Sequence, residues 1–93
     1  MRVNFFATLR PMAGGKTVDF GLPEGTSIRA LVDAIVTRFP PMRQELLDPD
    51  GNLYEHVHVF VNGRDAQYLP LGMDTLLSLQ DTLNVFPAVG GGA

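Results

Sequence analysis

The sequence predicts an α+β fold in which one main helix covers one face of a mixed sheet of four to five strands. Three observations support this fold class. Apolar residues alternate with other residues near both ends of the chain, as in half-buried strands. A single apolar stripe with helical spacing runs through residues 28–39. Asn62-Gly63 directly follows an alternating segment and indicates a hairpin, because a type I′ turn needs positive φ at both positions.

The first strand is predicted over residues 2–9, where every second position is apolar. Pro11 and the pair Gly14-Gly15 then indicate a turn, after which the chain reverses into a second strand over residues 17–22. The glycine pair is also compatible with a phosphate-binding loop. However, no helix with the required Gly, Lys and Ser/Thr spacing follows it, so a turn is the better interpretation.

The helix follows a turn at residues 23–25, with Thr26 or Ser27 as its N-cap. It ends at Pro40-Pro41, because neither proline donates a backbone hydrogen bond and the residue before a proline avoids helical angles. Its stripe predicts contact with the core rather than a cofactor site. The stripe consists of Ile28, Leu31, Val32, Ile35 and Phe39.

The second half of the chain consists of short elements separated by turns. Asp-Pro-Asp-Gly at residues 48–51 and irregular residues 69–81 separate them. The elements are one helical turn at 42–47, strands at 56–61, 64–68 and 82–87, and a further helical turn at 75–79.

One helix with one apolar stripe covers only one face of such a sheet. The first and last strands are separated by the helix and the hairpin, and we expect them to lie side by side at the centre. This is the β-grasp arrangement. We assign residues 1–87 to the β-grasp domain and residues 88–93 to a glycine-rich functional tail.

The composition excludes several classes of function. The 93 residues fit one domain, and a net charge of -3 offers no basic field for nucleic acid. The absence of cysteine excludes disulfides, thiolate metal sites and a thiol nucleophile. No apolar run reaches the roughly 18 residues of a membrane helix, and no secretion signal is present. We therefore expect no membrane association and a cytoplasmic location.

Candidate catalytic and metal-ligating side chains are few. His56 and His58 would share one face of a strand, but two histidines without a recognisable third ligand are more typical of a solvated face. Asp48 and Asp50 lie in a turn, where carboxylates commonly bond their own backbone. We predict no catalytic residue, no metal and no bound cofactor.

Phe6, Phe60 and Phe86 are predicted to project from the sheet face that the helix leaves open. Aromatic side chains on neighbouring strands form a patch typical of a protein-binding surface. The alternative is that the loop at residues 69–77 folds over them. The sequence leaves both interpretations open.

The last strand runs through Pro87 into residues 88–93, which read Ala-Val-Gly-Gly-Gly-Ala. Three glycines near a chain end are compatible with an untethered terminus. However, glycines without Cβ can also pass through a narrow channel and bring a carboxylate to a buried site in another protein. The continuity with a central strand favours the functional interpretation, with Val89, Gly90 and Gly91 leading to the end.

Four segments in a fixed order carry a resemblance to a known family. They are FFATLR at 5–10 followed by two glycines, LPEGT at 22–26, VNGRD at 61–65 and FPAVGGG at 86–92. On these segments the chain resembles the ubiquitin-like sulfur carriers of the ThiS/MoaD family over essentially its whole length. Its ending is most similar to carriers that deliver sulfide to cysteine or methionine synthesis.

The resemblance implies that an E1-like partner enzyme adenylates the C-terminal glycine with ATP. A sulfur donor then displaces AMP to leave a thiocarboxylate, which an acceptor synthase consumes. The carrier itself is not an enzyme in this scheme. Family members usually end at Gly-Gly, which aligns here with Gly91-Gly92. A JAMM-type zinc metalloprotease is therefore expected to remove Ala93, leaving Gly92 to carry the sulfur, unless Ala93 is foreign to the natural protein.

Two other functions use the same activated glycine. The chain is compatible with a ubiquitin-like modifier attached to lysines of target proteins. It is also compatible with the small subunit of molybdopterin synthase, although that subunit usually ends at the diglycine.

Overall fold

The computed structural model describes residues 1–87, which form a five-stranded mixed sheet and three helices. The predicted tail, including Val89, Gly90, Gly91, Gly92 and Ala93, lies outside the described residues. The strands are β1 Arg2–Phe5, β2 Thr17–Asp19, β3 His58–Val61, β4 Arg64–Asp65 and β5 Leu83–Phe86. The helices are α1 Leu9–Ala13, α2 Ile28–Arg38 and α3 Met42–Leu46, and 3₁₀ turns occupy Ala66–Tyr68 and Gly72–Asp74.

The strand order β2-β1-β5-β3-β4 confirms the predicted β-grasp arrangement. The first and last strands pair in parallel at the centre of the sheet, with Phe5 beside Val85. β3 pairs antiparallel with the other side of β5, so β5 is hydrogen-bonded along both edges. The strand that leads into the tail is therefore firmly held within the sheet.

The core lies between the sheet and α2. Alternate residues of β1, β3 and β5 face the helix and are buried, while the residues between them face the other side of the sheet. The stripe on α2 packs against them, and Phe5, Phe20 and Phe39 meet edge to face with ring centroids 6.1–6.3 Å apart. The buried α2 residues are Ile28, Leu31, Val32, Ile35 and Val36.

Two local predictions are confirmed in detail. The Ser27 side chain caps α2 by accepting a hydrogen bond of 3.1 Å from the amide of Ala30. Asn62 and Gly63 have φ values of 53° and 84°, as a type I′ hairpin turn requires.

The predicted first strand is too long. β1 ends at Phe5, because Ala7 adopts a left-handed φ of 52° and turns the chain into α1. Leu9 is fully buried there, so its apolar character reflects a short helix rather than a continued strand. β2 also ends early, at Asp19, although Phe20 remains in the core.

Three boundaries in the second half also differ from the prediction. β3 begins at His58 rather than at residue 56, because the Val57 amide closes a turn onto the Tyr54 carbonyl at 3.0 Å. β4 has only two residues, since the Asp65 side chain caps the following 3₁₀ turn by accepting from the Gln67 amide. The helical turn predicted at 75–79 lies instead at Gly72–Asp74.

None of the helices in residues 1–87 is both long and apolar enough to cross a membrane.

We expect Phe5→Ala to lower the free energy of unfolding by about 3–5 kcal/mol, because loss of the Phe5 ring leaves a cavity next to Phe20 and Phe39. The matched control is Phe6→Ala, which removes the same group from the opposite face and should cost about 1 kcal/mol. Urea unfolding followed by circular dichroism measures both values. Equal losses for the two variants would show that the two faces are not as distinct as described.

Candidate functional site

Phe6, Phe60 and Phe86 form one cluster on the sheet face opposite α2, and we call it the aromatic patch. The rings of Phe6 and Phe86 stack with centroids 4.2 Å apart, and Phe60 meets Phe86 edge to face at 5.4 Å. Each ring is half-buried and contacts at least one of the other two. The structure thus brings together all three aromatic residues that were predicted to share this face.

The pairing of the strands explains why the rings meet. The Phe6 amide, one residue beyond β1, donates to the Val85 carbonyl at 3.2 Å, which sets Phe6 alongside Phe86. Across the other edge of β5, Phe86 lies opposite His58, and Phe60 is two residues further along β3 on the same face. The patch therefore results from register rather than from proximity in sequence.

The loop at residues 69–77 does not cover the patch. Leu69 and Met73 pack against the buried core, and Asp74 pairs with Arg29 of α2 at 3.3 Å. The Ile28 amide donates to the Thr75 carbonyl at 3.0 Å, so the loop is held at the start of α2. The alternative interpretation of the sequence, in which this loop shields the three phenylalanines, is wrong.

Two cations lie beside the patch. The Arg10 guanidinium is 5.2 Å from the centroid of the Phe6 ring, and the Lys16 ammonium is 5.9 Å from it. Arg10 also donates from Nε to the Phe5 carbonyl at 3.0 Å, which fixes α1 against the end of β1. In a chain with net charge -3, this end of the open face is locally positive.

Away from the patch, the open face is polar. The Asn4 amide donates to the Asn84 side chain at 2.9 Å, and the Thr17 hydroxyl donates to Asn4 at 2.7 Å. These side chains satisfy one another across β2, β1 and β5. The patch therefore adjoins a polar row, and Phe86 places it at the end of β5.

The two histidines have separate surroundings. His58 Nδ1 hydrogen-bonds to Oδ2 of Asp65 at 2.6 Å, next to Phe60. His56 lies before β3 and stacks on Tyr54 with centroids 5.3 Å apart, so the predicted sharing of one strand face is wrong. Within residues 1–87, no three His, Asp or Glu side chains are grouped as a metal site.

The aromatic patch lies at the point where the described part of the chain ends. β5 ends at Phe86, one member of the patch, and Pro87 is buried immediately after it. A protein that covers the patch therefore also covers the point at which the tail begins. The tail residues, to which the sequence analysis assigned a role, lie outside the described residues.

Sequence reasoning missed the cations around Phe6. Arg10 was assigned to a turn, and Lys16 was not connected with Phe6. Both reach Phe6 because β2 pairs with β1 and because α1 folds back onto the end of β1. The available signal was that both residues flank strands next to an aromatic residue, which is too common a pattern to be specific.

Comparison with known proteins gives a consistent result. The sequence model of the ThiS family matches residues 3–92. The chain is 34% identical over 92 residues to small archaeal modifier protein 1 from Haloferax volcanii, covering 99% of this chain and 100% of that protein. It is 30% identical over 87 residues to the sulfur carrier protein CysO of Mycobacterium tuberculosis, covering 90% and 89%.

Solved structures agree with these sequence matches. The crystal structure of SAMP1 from Haloferax volcanii has a TM-score of 0.82 at 30% identity and covers 98% of this chain and 97% of that chain. A chain of the Amycolatopsis orientalis BexX/CysO complex has a TM-score of 0.76 at 27% identity and covers 98% of both chains.

We expect the stacked pair Phe6 and Phe86 to be energetically coupled by about 0.5–1.5 kcal/mol. A double-mutant cycle of Phe6→Ala and Phe86→Ala, read by urea unfolding, measures this coupling. The pair Phe6 and Tyr54 is the control, because among residues 1–87 these two rings share no aromatic neighbour and their coupling should be near zero. Absence of coupling for the stacked pair would contradict a preformed patch.

Proposed function

The chain belongs to the ThiS family of ubiquitin-like sulfur carriers and modifiers, and we propose that it is a sulfur carrier whose working end is Gly92. In this proposal an E1-like enzyme adenylates the Gly92 carboxylate with ATP, and a sulfur donor converts it to a thiocarboxylate. The observation that carries the proposal is the extent of the family match, which runs through all three glycines to residue 92.

The chemistry suits a chain without cysteine. A free carboxylate is a poor electrophile, but its attack on the α-phosphate of ATP releases pyrophosphate and leaves an acyl adenylate. A sulfur nucleophile then attacks the acyl carbon and AMP leaves. The sulfur is held at the acyl end, so the carrier needs no thiol of its own. The product supplies sulfide for cysteine, methionine or cofactor synthesis.

In this proposal the patch holds the carrier on the enzyme during the reaction. Five residues, 88–92, separate the domain from the reacting carboxylate and span about 17 Å at most when extended. The partner's active site must therefore lie within that distance of Pro87, next to Phe86. Docking on Phe6, Phe60 and Phe86 satisfies this requirement, with Val89 as a further contact on the way to the site.

A second candidate function is attachment to lysines of other proteins. The similarity to small archaeal modifier protein 1 favours it, because that relative is named for modification and matches along its whole length. The same acyl adenylate serves both functions, and they differ in the nucleophile that attacks it. Conjugates of high mass in extracts of the native source would support this candidate, and a thiocarboxylate on the free protein would support the carrier.

We expect Phe60→Glu to reduce adenylation by about tenfold or more, because a partner that buries Phe60 would have to bury an unpaired carboxylate. ATP–pyrophosphate exchange with the E1-like enzyme of the same organism measures the rate. Thr37→Glu, which adds the same charge on the exposed side of α2, is the control and should retain exchange. Circular dichroism checks that both variants are folded. Unchanged exchange in Phe60→Glu would remove this residue from the docking surface.

We also expect the chain with Ala93 to be inactive in ATP–pyrophosphate exchange and the chain ending at Gly92 to be active. Intact mass of protein from the native source should show loss of Ala93 and replacement of one oxygen by sulfur. Thiocarboxylation of the full-length chain, with Ala93 still present by mass, would overturn the need for trimming.

A further inference from the structure

We propose that Lys16 is an acylation site, at which the activated carboxyl end of a second copy of this chain forms an isopeptide bond. We further infer that this bond removes the acylated copy from activation, because Lys16 lies beside the aromatic patch. The inference rests on the proposed function, which supplies the acyl adenylate. Its chemical basis is that this chain has a single lysine, at a position next to Phe6.

The chain offers two primary amines, and the structure separates them sharply. The α-amino group of Met1 pairs with Asp19 at 3.1 Å, and the side chain of Met1 is 1% exposed. Lys16 is exposed, and within residues 1–87 no carboxylate lies at ion-pair distance from its Nζ. Lys16 therefore offers an exposed amine outside any ion pair of the described residues, whereas the α-amino group of Met1 is held in one.

The location of Lys16 is fixed by the sheet. Its carbonyl accepts a hydrogen bond of 2.6 Å from the Phe5 amide, and Thr17 next to it pairs with Asn4 of β1. The backbone of Lys16 is thus anchored to β1, while the side chain extends over the Phe6 ring at 5.9 Å. Phe6 in turn stacks on Phe86, so a group attached to Nζ lies at the edge of the patch.

The covalent step balances without a further reactant. In the first copy, the Gly92 carboxylate attacks ATP to give the acyl adenylate and pyrophosphate. The neutral amine of Lys16 in the second copy attacks the acyl carbon, the bond to the AMP oxygen breaks, and AMP leaves. One proton passes from the nitrogen to water, and an amide bond joins the two chains.

This bond affects the two copies differently. The first copy has consumed its carboxyl end. The second copy retains its own carboxyl end, but the attached chain occupies the surface around Phe6 on which docking depends. A linked copy is therefore withdrawn from activation, and its tail remains unmodified.

The first experiment incubates the chain ending at Gly92 with the E1-like enzyme of the same organism and ATP. Intact mass and peptide mapping should show a product of two chains minus one water, joined at Lys16. Lys16→Arg, which keeps a cation over Phe6 but has no nucleophilic amine, should form none. The double variant Lys16→Arg/Arg43→Lys moves the lysine to the exposed surface of α3 and should also form little.

ATP–pyrophosphate exchange is measured in each mixture, so the amount of linked product is compared with the adenylation rate of the same variant. Exchange without linkage at Lys16 would contradict this inference and leave the proposed function standing. Equal linkage in the variant with lysine at residue 43 would also contradict it, since position would not matter. Absence of exchange in every variant would overturn the proposed function. It would also remove the acyl adenylate on which this inference rests.

The second experiment tests withdrawal directly by attaching a small acyl group to Lys16. The probe is the N-hydroxysuccinimidyl ester of acetyl-glycyl-glycine, which imitates the end of the tail. Treated protein should lose about tenfold in exchange, whereas Lys16→Arg given the same reagent should keep the rate of its own untreated sample. Unchanged exchange in the treated protein, with Lys16 acylated by mass, would overturn the withdrawal.

Discussion

The parallel pairing of β1 with β5 is the constraint on which the rest of the structure depends. It brings the two ends of the domain together at the centre of the sheet, with Phe5 beside Val85. The same register sets Phe6 alongside Phe86. Because β3 pairs with the other edge of β5, the segment that leads into the tail is hydrogen-bonded on both sides. A partner can therefore bind the tail without disrupting the strand that precedes it.

Strand alternation separates stability from recognition in this domain. Phe5 and Phe6 are adjacent in sequence, yet Phe5 packs in the core with Phe20 and Phe39, while Phe6 lies on the open face. Residues of the open face therefore contribute less to the core than their sequence neighbours do. The polar row of Asn4, Asn84 and Thr17 lies beside the patch on the same face.

The two proposed functions, carrier and modifier, share the activation step, so one docking surface suffices for both. Lys16 and Arg10 place positive charge beside Phe6 in a chain of net charge -3, which favours a partner with acidic residues opposite them. The single lysine lies beside Phe6, which is why we propose it as the site at which an attached chain interferes with docking.

The sequence by itself determined the fold class, the extent of α2, the Asn62-Gly63 turn and the side of the sheet on which three phenylalanines lie. It narrowed the cap of α2 to Thr26 or Ser27, and the structure shows that Ser27 is the cap. These depend on periodicity and turn chemistry, which are local. The sequence did not determine where β1 ends, because Ala7 and Leu9 continue its alternation although Ala7 turns the chain. Only the tertiary structure decided that the rings of Phe6 and Phe86 stack, that the loop at 69–77 packs on α2, and that Lys16 reaches Phe6. The physical reason is that strand register and loop packing arise from contacts between residues far apart in sequence, which no local pattern encodes.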